Sequence, residues 1–577
     1  MKKELLNKLN EKEWQLPYSD KIIRVIHNFS LTEKIIFFIF VTVFVISSIS
    51  LLWKVNKSFL VEVPDYGGTL IEGVIGSARF LNPLLSVSEI DRDLSSLVYS
   101  GLLKVNSQGQ LIPDLAQSYS LSNDSLTYTF ILKDNIYFHD GQRVTADDIL
   151  FTIEKAQDPA LKSPRQLNWG GVKVEKVDDK TVKFSLKQAY SPFIQNTTLG
   201  ILPKHIWKST SIEEFPFSKY NLNPVGSGPY KIDSIAYSSS SLPIEYHLKA
   251  YNRYNLGKPY ITYLVIKSFQ SEKDLVSAFS NGSVDNIHGL SPQEIPENQG
   301  QMITSPLPRI FAVFFNQNNA PVFVNKEVRL ALNLATDKET IVKEVLGGLG
   351  EPIDQALPPN KITQGQSTST SNNIDKAKAL LVSKGWKQNS SGIFEKKGKK
   401  STVQLSFSIS TSDAPDLKAT AYILQKQWQQ LGAKVEVKIF EINDLNQNII
   451  RTRKYDSLLF GEIIGRDLDL YPFWHSSQRN DPGLNIAMYT NIKADKILEN
   501  LRKTTDLETQ KKLYANFNNE LANDSPAVFI YSPYFTYYLP KKVHNASIGN
   551  LSTATERFAE INKWYIETNN VWSIFIK

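Results

Sequence analysis

Leu132-Lys133-Asp134-Asn135-Ile136-Tyr137-Phe138-His139-Asp140-Gly141-Gln142-Arg143-Val144-Thr145-Ala146-Asp147-Asp148-Ile149-Leu150 is the stretch on which the fold turns. Thr127 to Leu132, leading into it, alternates polar and apolar residues and is rich in β-formers, so it reads as a strand. His139 to Gln142 reads as a turn in which Gly141 takes φ > 0 at no steric cost. Thr145 reads as a helix N-cap. Its hydroxyl is placed to accept the N–H of Asp148, and the Asp148 carboxylate to reach back to the N–H of Thr145. Val144 and Ile149 can close a hydrophobic staple around the cap. Asp147 and Asp148 also sit where the helix dipole favours negative charge. Turn plus cap accounts for His139, Asp140, Asp147 and Asp148, which otherwise invite a metal or acid–base reading.

Upstream, Ile35 to Trp53 carries no charge. As a helix it would span about 28 Å, the thickness of a bilayer's hydrocarbon core. Seven Lys and Arg residues precede it, and only Lys54 and Lys57 follow closely. The positive-inside rule then makes residues 1–34 a cytoplasmic tail and 35–53 a single-pass transmembrane helix. Residues 54–66 read as a linker, and the main body stands outside the cytoplasmic membrane. A cleaved signal peptide is the rival; the run is long, starts late and lacks a small-x-small cleavage site.

At 577 residues the chain needs two or three domains, and its 11% aromatic content provides for substantial cores. It has no cysteine, which excludes disulfides, thiolate metal sites and a Cys nucleophile. The net charge of +7 forms no basic stripe, so no nucleic-acid partner is expected. The seven His form no ligand-spaced cluster, and no metal, cofactor or catalytic residue is expected.

Phe138 to Asp148 resembles the signature of the family 5 extracellular solute-binding proteins, the oligopeptide- and dipeptide-binding group: F-hydrophilic-D-G-x-x-hydrophobic-T-A-x-D between a strand and a helix. Other landmarks follow the family's order. Leu81-Asn82-Pro83 resembles its hydrophobic-N-P loop near the ligand cleft. Ile201-Leu202-Pro203-Lys204-His205 and Pro224-Val225-Gly226-Ser227-Gly228-Pro229-Tyr230 resemble its paired P-K-H and P-V-G-T-G-P-Y segments. The second contains G-x-G, but Pro229 and the lack of a strand feeding the loop argue against a phosphate loop. Val328 to Val342 resembles the family's V-R-x-A double helix.

Helix starts with capping boxes are expected at Ser271, Ser291 and Thr336, the last with Glu339. Residues 363–373 read as a polar surface loop. Asp375–Ser383 and Ala414–Leu431 read as helices and Thr402–Ser410 and Val435–Phe440 as strands, an αβ rhythm.

The resemblance implies an α/β, periplasmic-binding-protein-like type II fold of two lobes and an inserted subdomain, preceded by the transmembrane helix. Lobe 1 would be discontinuous, at 67–104, 205–305 and 505–577. The subdomain would be 105–204 and lobe 2 306–504. The function implied is capture of an oligopeptide between closing lobes and delivery to the permease and ATPase subunits of an ABC importer. The alternatives are a binder of nickel chelates, haem or oligosaccharides, a non-transport sensor, and a surface hydrolase.

Gly465 to Gln478 combines two carboxylates, three aromatics and small polar groups, the mixture that recognition sites favour. It resembles the family's D-x-D-x-Y-P-x-W-x-S-x-Q cleft segment, in which a carboxylate pairs with the peptide's α-amino group. Asp467 or Asp469 would take that role, with Tyr471 and Trp474 lining the cleft. His475, Ser476, Gln478 and Asn82 complete the expected ligand-binding set.

Overall fold

A computed structural model describes residues 25–239, 241–290, 300–358, 373–398, 401–504 and 506–575. The cap at Ser291, nearly all of the polar loop at 363–373, and most of the N-terminal tail lie outside the described residues. The chain forms two units: Tyr66–Glu567, and the residues up to Asp65 together with those from Thr568 on.

In the smaller unit, helix Leu31–Phe59 exposes its apolar side chains throughout and is long and apolar enough to cross a membrane. It starts at a capping box between Ser30 and Glu33. The expected linker is instead the helix's last turns followed by strand Leu60–Pro64, which pairs antiparallel with Thr568–Trp572. Residues 568–577 therefore belong with this unit and not with lobe 1. Their partner strand lies at the opposite end of the sequence, where local pattern cannot reveal it.

In the larger unit, lobe 1 is built on a sheet ordered Gly67–Ile75, Ile261–Phe269, Pro243–Ala250, Tyr230–Tyr237, the first pair parallel and the others antiparallel. The inserted subdomain is an antiparallel sheet ordered Ala116–Leu121, Thr127–Leu132, Thr181–Ser185, Lys173–Lys176. Helix Ala146–Gln157 follows the signature turn, with Gly141 at φ 90°. Asp148 Oδ2 accepts from the N–H of Thr145 at 2.9 Å and from its hydroxyl at 3.1 Å. Asp148 Oδ1 accepts the N–H of Lys204 at 2.8 Å, so the cap also fixes the start of the P-K-H segment. The G-x-G segment is a packing device. A Cβ on Gly226 or Gly228 would strike the backbone of Val98, and His139 accepts the Gly226 N–H on Nδ1 while Nε2 faces the Gly228 carbonyl at 3.1 Å.

Lobe 2 carries strands ordered Lys434–Phe440, Ser406–Ser412, Ser457–Ile463, Arg309–Phe315, Ala527–Leu539. Strand Ala527–Leu539 belongs to both lobes: Ala527 to Tyr531 pairs with Arg309–Phe315, and Tyr534 to Leu539 pairs with Gln301–Pro306. It supplies four cores in turn, through Val528 and Ile530, Phe529, Phe535 and Tyr537, and Tyr538. Helix Leu507–Asp524 buries Tyr514, Phe517 and Leu521 in a lobe 2 core. The chain thus returns to lobe 1 inside the shared strand, and the expected boundary at 504/505 is corrected. One cap also differs: Asp337, not Thr336, accepts the Thr340 N–H at 3.0 Å, while the Thr336 hydroxyl donates to Leu332.

Candidate functional site

Helix Glu89–Val98 borders two cavities. Ser88 caps it in a box with Asp91, and its apolar stripe, including Ile90, Leu94, Leu97 and Val98, is buried. That packing directs Glu89, Arg92 and Ser96 away from the core. One cavity, of about 550 Å³, is lined by Arg92, Ser96 and Tyr99, by Arg165 of the subdomain, and by Gly465, Arg466 and Asp467 of lobe 2. The other, of about 450 Å³, is lined by Glu89, Asp93 and His288 of lobe 1 and by Arg309 and Asp416 of lobe 2.

Three carboxyl groups line the first cavity, and two of them have protein partners. Asp114 accepts from Asn255 Nδ2 at 2.8 Å, and Glu556 pairs with Arg466 Nη2 at 2.5 Å. Asp467 has only backbone donors and forms no ion pair among the described residues. Burial, and then the neighbouring charge of Asp469, push its carboxyl up to about 6. Asp469 is consumed by the fold: Arg502 Nη2 lies at 2.6 Å and Nε at 3.0 and 3.1 Å, and the N–H of Tyr471 donates to it at 3.2 Å.

The other expected residues serve the loop's architecture. Tyr471 is sandwiched between His475, with ring centroids 4.0 Å apart, and the Arg502 guanidinium at 3.8 Å. Trp474 is fully buried against Phe314 and Phe529, in a core and not on a cleft wall. The one-turn helix Tyr471–Trp474 rotates its apolar end inward, which overturns the cleft expectation for Trp474. His475 Nδ1 accepts the Ser477 N–H at 3.1 Å, Ser476 donates to Asp495, and Gln478 Nε2 donates to Ser477 at 3.0 Å. Asn82 is wholly buried, donating to Asn221 and accepting the Leu84 N–H, so it pins its loop and does not face the cleft.

Sequence reasoning missed the arginines of both cavities and a buried charge network beside them. Arg557, with no exposure, pairs with Asp93 at 2.5 Å and Glu72 at 3.0 Å. His288 bridges Glu72 at 3.3 Å and Glu89 at 2.6 Å. Burial and Arg557 oppose a proton on His288, and the two glutamates outweigh them, so its pKa is raised. Glu89, Asp93 and His288 bring ligand atoms within 4.8 Å of one another, but these atoms already pair within the network. Glu462, 3% exposed, was also missed; burial pushes its carboxyl well up, and the Trp474 indole offsets only part of this.

The family model described as "Bacterial extracellular solute-binding proteins, family 5 Middle" matches residues 110–482. The oligopeptide-binding protein AppA of Bacillus subtilis is 28% identical over 516 residues, covering 87% of this chain and 92% of its own. Its structure in complex with a nonapeptide aligns with TM-score 0.68 and 27% identity over 88% of this chain and 100% of that one. NikZ of Campylobacter jejuni, in complex with Ni(L-His), gives 0.68 and 28% over 86% and 99%. The ABC transporter substrate-binding protein CtaP of Listeria monocytogenes gives 0.74 and 27% over 87% and 100%. The fold is that of the type II periplasmic binding proteins, with mixed α/β lobes.

Proposed function

The chain belongs to the bacterial extracellular solute-binding proteins of family 5, and from that premise we propose that it captures oligopeptides outside the cytoplasmic membrane and hands them to an ABC importer's permease. The family is one of solute binding and not of catalysis. In this reading the chain performs no chemistry, and a partner subunit hydrolyses ATP. Helix Leu31–Phe59 holds the body at the outer face of the membrane, its N-terminal side cytoplasmic.

One observation carries the ligand assignment: Asp467 is a half-buried cavity carboxylate without a cationic partner, beside an Asp469 that already has one. A peptide's α-ammonium keeps its proton at neutral pH and needs a counterion when removed from water. Asp467 supplies it, and strand Ala527–Leu539, with the crossing at Pro306 to Arg309, is the hinge on which the lobes close. Lobe 1 comprises residues 67–104, 205–306 and 533–567, the subdomain 105–204, and lobe 2 307–532.

The test is titration calorimetry on the full chain in detergent, using one peptide in free and N-acetylated form. Acetylation is expected to remove about 2–5 kcal/mol of binding; equal affinities would refute the assignment. A nickel chelate is the second reading, because NikZ matches this chain as closely in identity as AppA does. Native mass spectrometry of ligand carried through purification separates the two.

A further inference from the structure

In the smaller unit the last described residues are brought back to the end of the apolar helix. Strand Leu60–Pro64 leads away from helix Leu31–Phe59, and strand Thr568–Trp572 runs back along it with Trp572 opposite Leu60. Trp572 stacks on Phe59, ring centroids 6.2 Å apart, and donates its indole N–H to Asn56 Oδ1 at 2.9 Å. A single 3-10 turn, Ser573–Phe575, follows. Val571 to Phe575 carries no charge, and Ile574 and Phe575 are 73% and 72% exposed.

Depth along the helix decides what meets these side chains. With the uncharged run 35–53 in the hydrocarbon core, Asn56 stands about 4.5 Å beyond Trp53 along the axis and Phe59 about 9 Å beyond it. The headgroup layer takes up roughly 5–8 Å on each side of that core. The hydrogen bond to Asn56 therefore puts the Trp572 indole among the headgroups, and Ser573–Phe575 starts at that depth. The side chains at this level suit it. Trp53, Phe59 and Trp572 are aromatic and exposed, and Lys54 and Lys57 are the only charged residues of the helix beyond Trp53. Lys57 Nζ lies 5.4 Å from the Trp53 ring centroid. Tryptophan gathers at membrane–water interfaces because its body is apolar and its N–H is polar, and lysine ammonium groups reach lipid phosphates. The ribbon of Leu60–Pro64 and Thr568–Trp572 is a two-stranded sheet, an arrangement that is marginal in water on its own. Lipid against its helix end supplies the apolar cover that such a ribbon needs.

We propose that Trp572, Ile574 and Phe575 insert into the outer leaflet beside the helix, so that two segments far apart in the sequence hold the same membrane surface. The partner is the lipid itself. This rests on helix Leu31–Phe59 being a membrane anchor.

The chain has no cysteine, so one introduced cysteine can carry a fluorophore. Bimane is attached in the full chain at Ser573→Cys, at Phe44→Cys in the helix, or at Asn569→Cys on the exposed part of the ribbon. Each protein is placed in phosphatidylcholine vesicles at two protein densities. Iodide quenches the probe from water, and brominated acyl chains quench it from lipid. The probe at position 573 should lose iodide quenching and gain brominated-lipid quenching, as the probe at 44 does, while the probe at 569 shows the reverse. Adding Ile574→Ser and Phe575→Ser to the Ser573→Cys chain should restore iodide quenching. A probe at 573 that behaves like the one at 569 overturns the proposal. Shielding that survives the two serine substitutions also overturns it, because the helix alone then screens the probe. Shielding found only at the higher density overturns it in favour of a second copy of the chain. A probe at 44 that is open to iodide and untouched by brominated lipid refutes the helix anchor itself, and this proposal with it.

Discussion

Asp467→Asn should make the ligand-free protein more stable and the peptide-binding protein weaker. The Asp467 carboxyl is pushed from 3.8 to about 6 by burial and by Asp469. At 1.36 kcal/mol per pH unit, keeping it ionised at pH 7 costs the folded state about 2–3 kcal/mol. The folded chain holds the proton more tightly than the unfolded one, so wild type is least penalised below pH 3.8 and loses stability as pH rises through about 6. Asparagine does not titrate. Its advantage should therefore be near zero in acid and reach about 2–3 kcal/mol above pH 6. A peptide's ammonium reverses the preference for the neutral form, so binding at pH 6 should release a fraction of a proton from wild type and none from the variant. Urea melts across pH 4–8 and calorimetry in buffers of different ionisation enthalpy measure both. Asp469→Asn is the control: it breaks the pair with Arg502, 10% and 27% exposed, and should destabilise by about 2–4 kcal/mol. A loss of stability at pH 7 in Asp467→Asn, or unchanged proton release, would refute the assignment of an unpaired cleft carboxylate.

Thr145→Ala should destabilise by about 1 kcal/mol in urea melts and leave peptide affinity unchanged, because the cap lies in scaffold. Glu462→Gln should match wild type near pH 4.5 and gain on it as pH rises above that, since burial favours the protonated carboxyl in the folded state and the unfolded one ionises; urea melts across pH 4–8 measure it. His139 is held neutral down to about 4 by burial, so lowering pH from 6.5 towards 4 should cost wild type roughly 3 kcal/mol that His139→Gln does not lose. N-terminal sequencing of the native protein should find no new terminus near residues 50–60; one there would refute the anchor.

What was legible in the sequence was local. The signature turn and caps near Thr145 and Ser271 depend on residues within a few positions, and the structure forms them. The apolar helix was legible from the absence of charge alone. The site was legible only as a stretch. Choosing Asp467 over Asp469 needed Arg502, 33 positions away, and removing Trp474 from the cleft wall needed the rotation of a four-residue helix. Arg92, Arg165 and Arg309 come from three segments that share no motif, and Asp93 finds its partner Arg557 464 positions away. Sequence patterns report periodicity and caps; they do not report which charges the fold leaves unpaired.

The pairing of Arg557 with Glu72 sets an order on biosynthesis. The two residues are separated by 485 positions, and Asp93 waits on the same guanidinium. A ribosome makes the chain from its N-terminus, at about 5–20 residues per second, so both buried acids exist for tens of seconds before their counterion does. Until then lobe 1 cannot enclose Asp93 without stranding its charge, and Glu72 has only His288 as a cation. Lobe 2 falls between them in the chain and has nearly all its parts earlier, lacking only the first half of strand Ala527–Leu539. The last strand of the lobe and the counterion of its neighbour are thus translated close together. A nascent chain stalled before residue 527 lacks both the shared strand and the arginine that closes lobe 1.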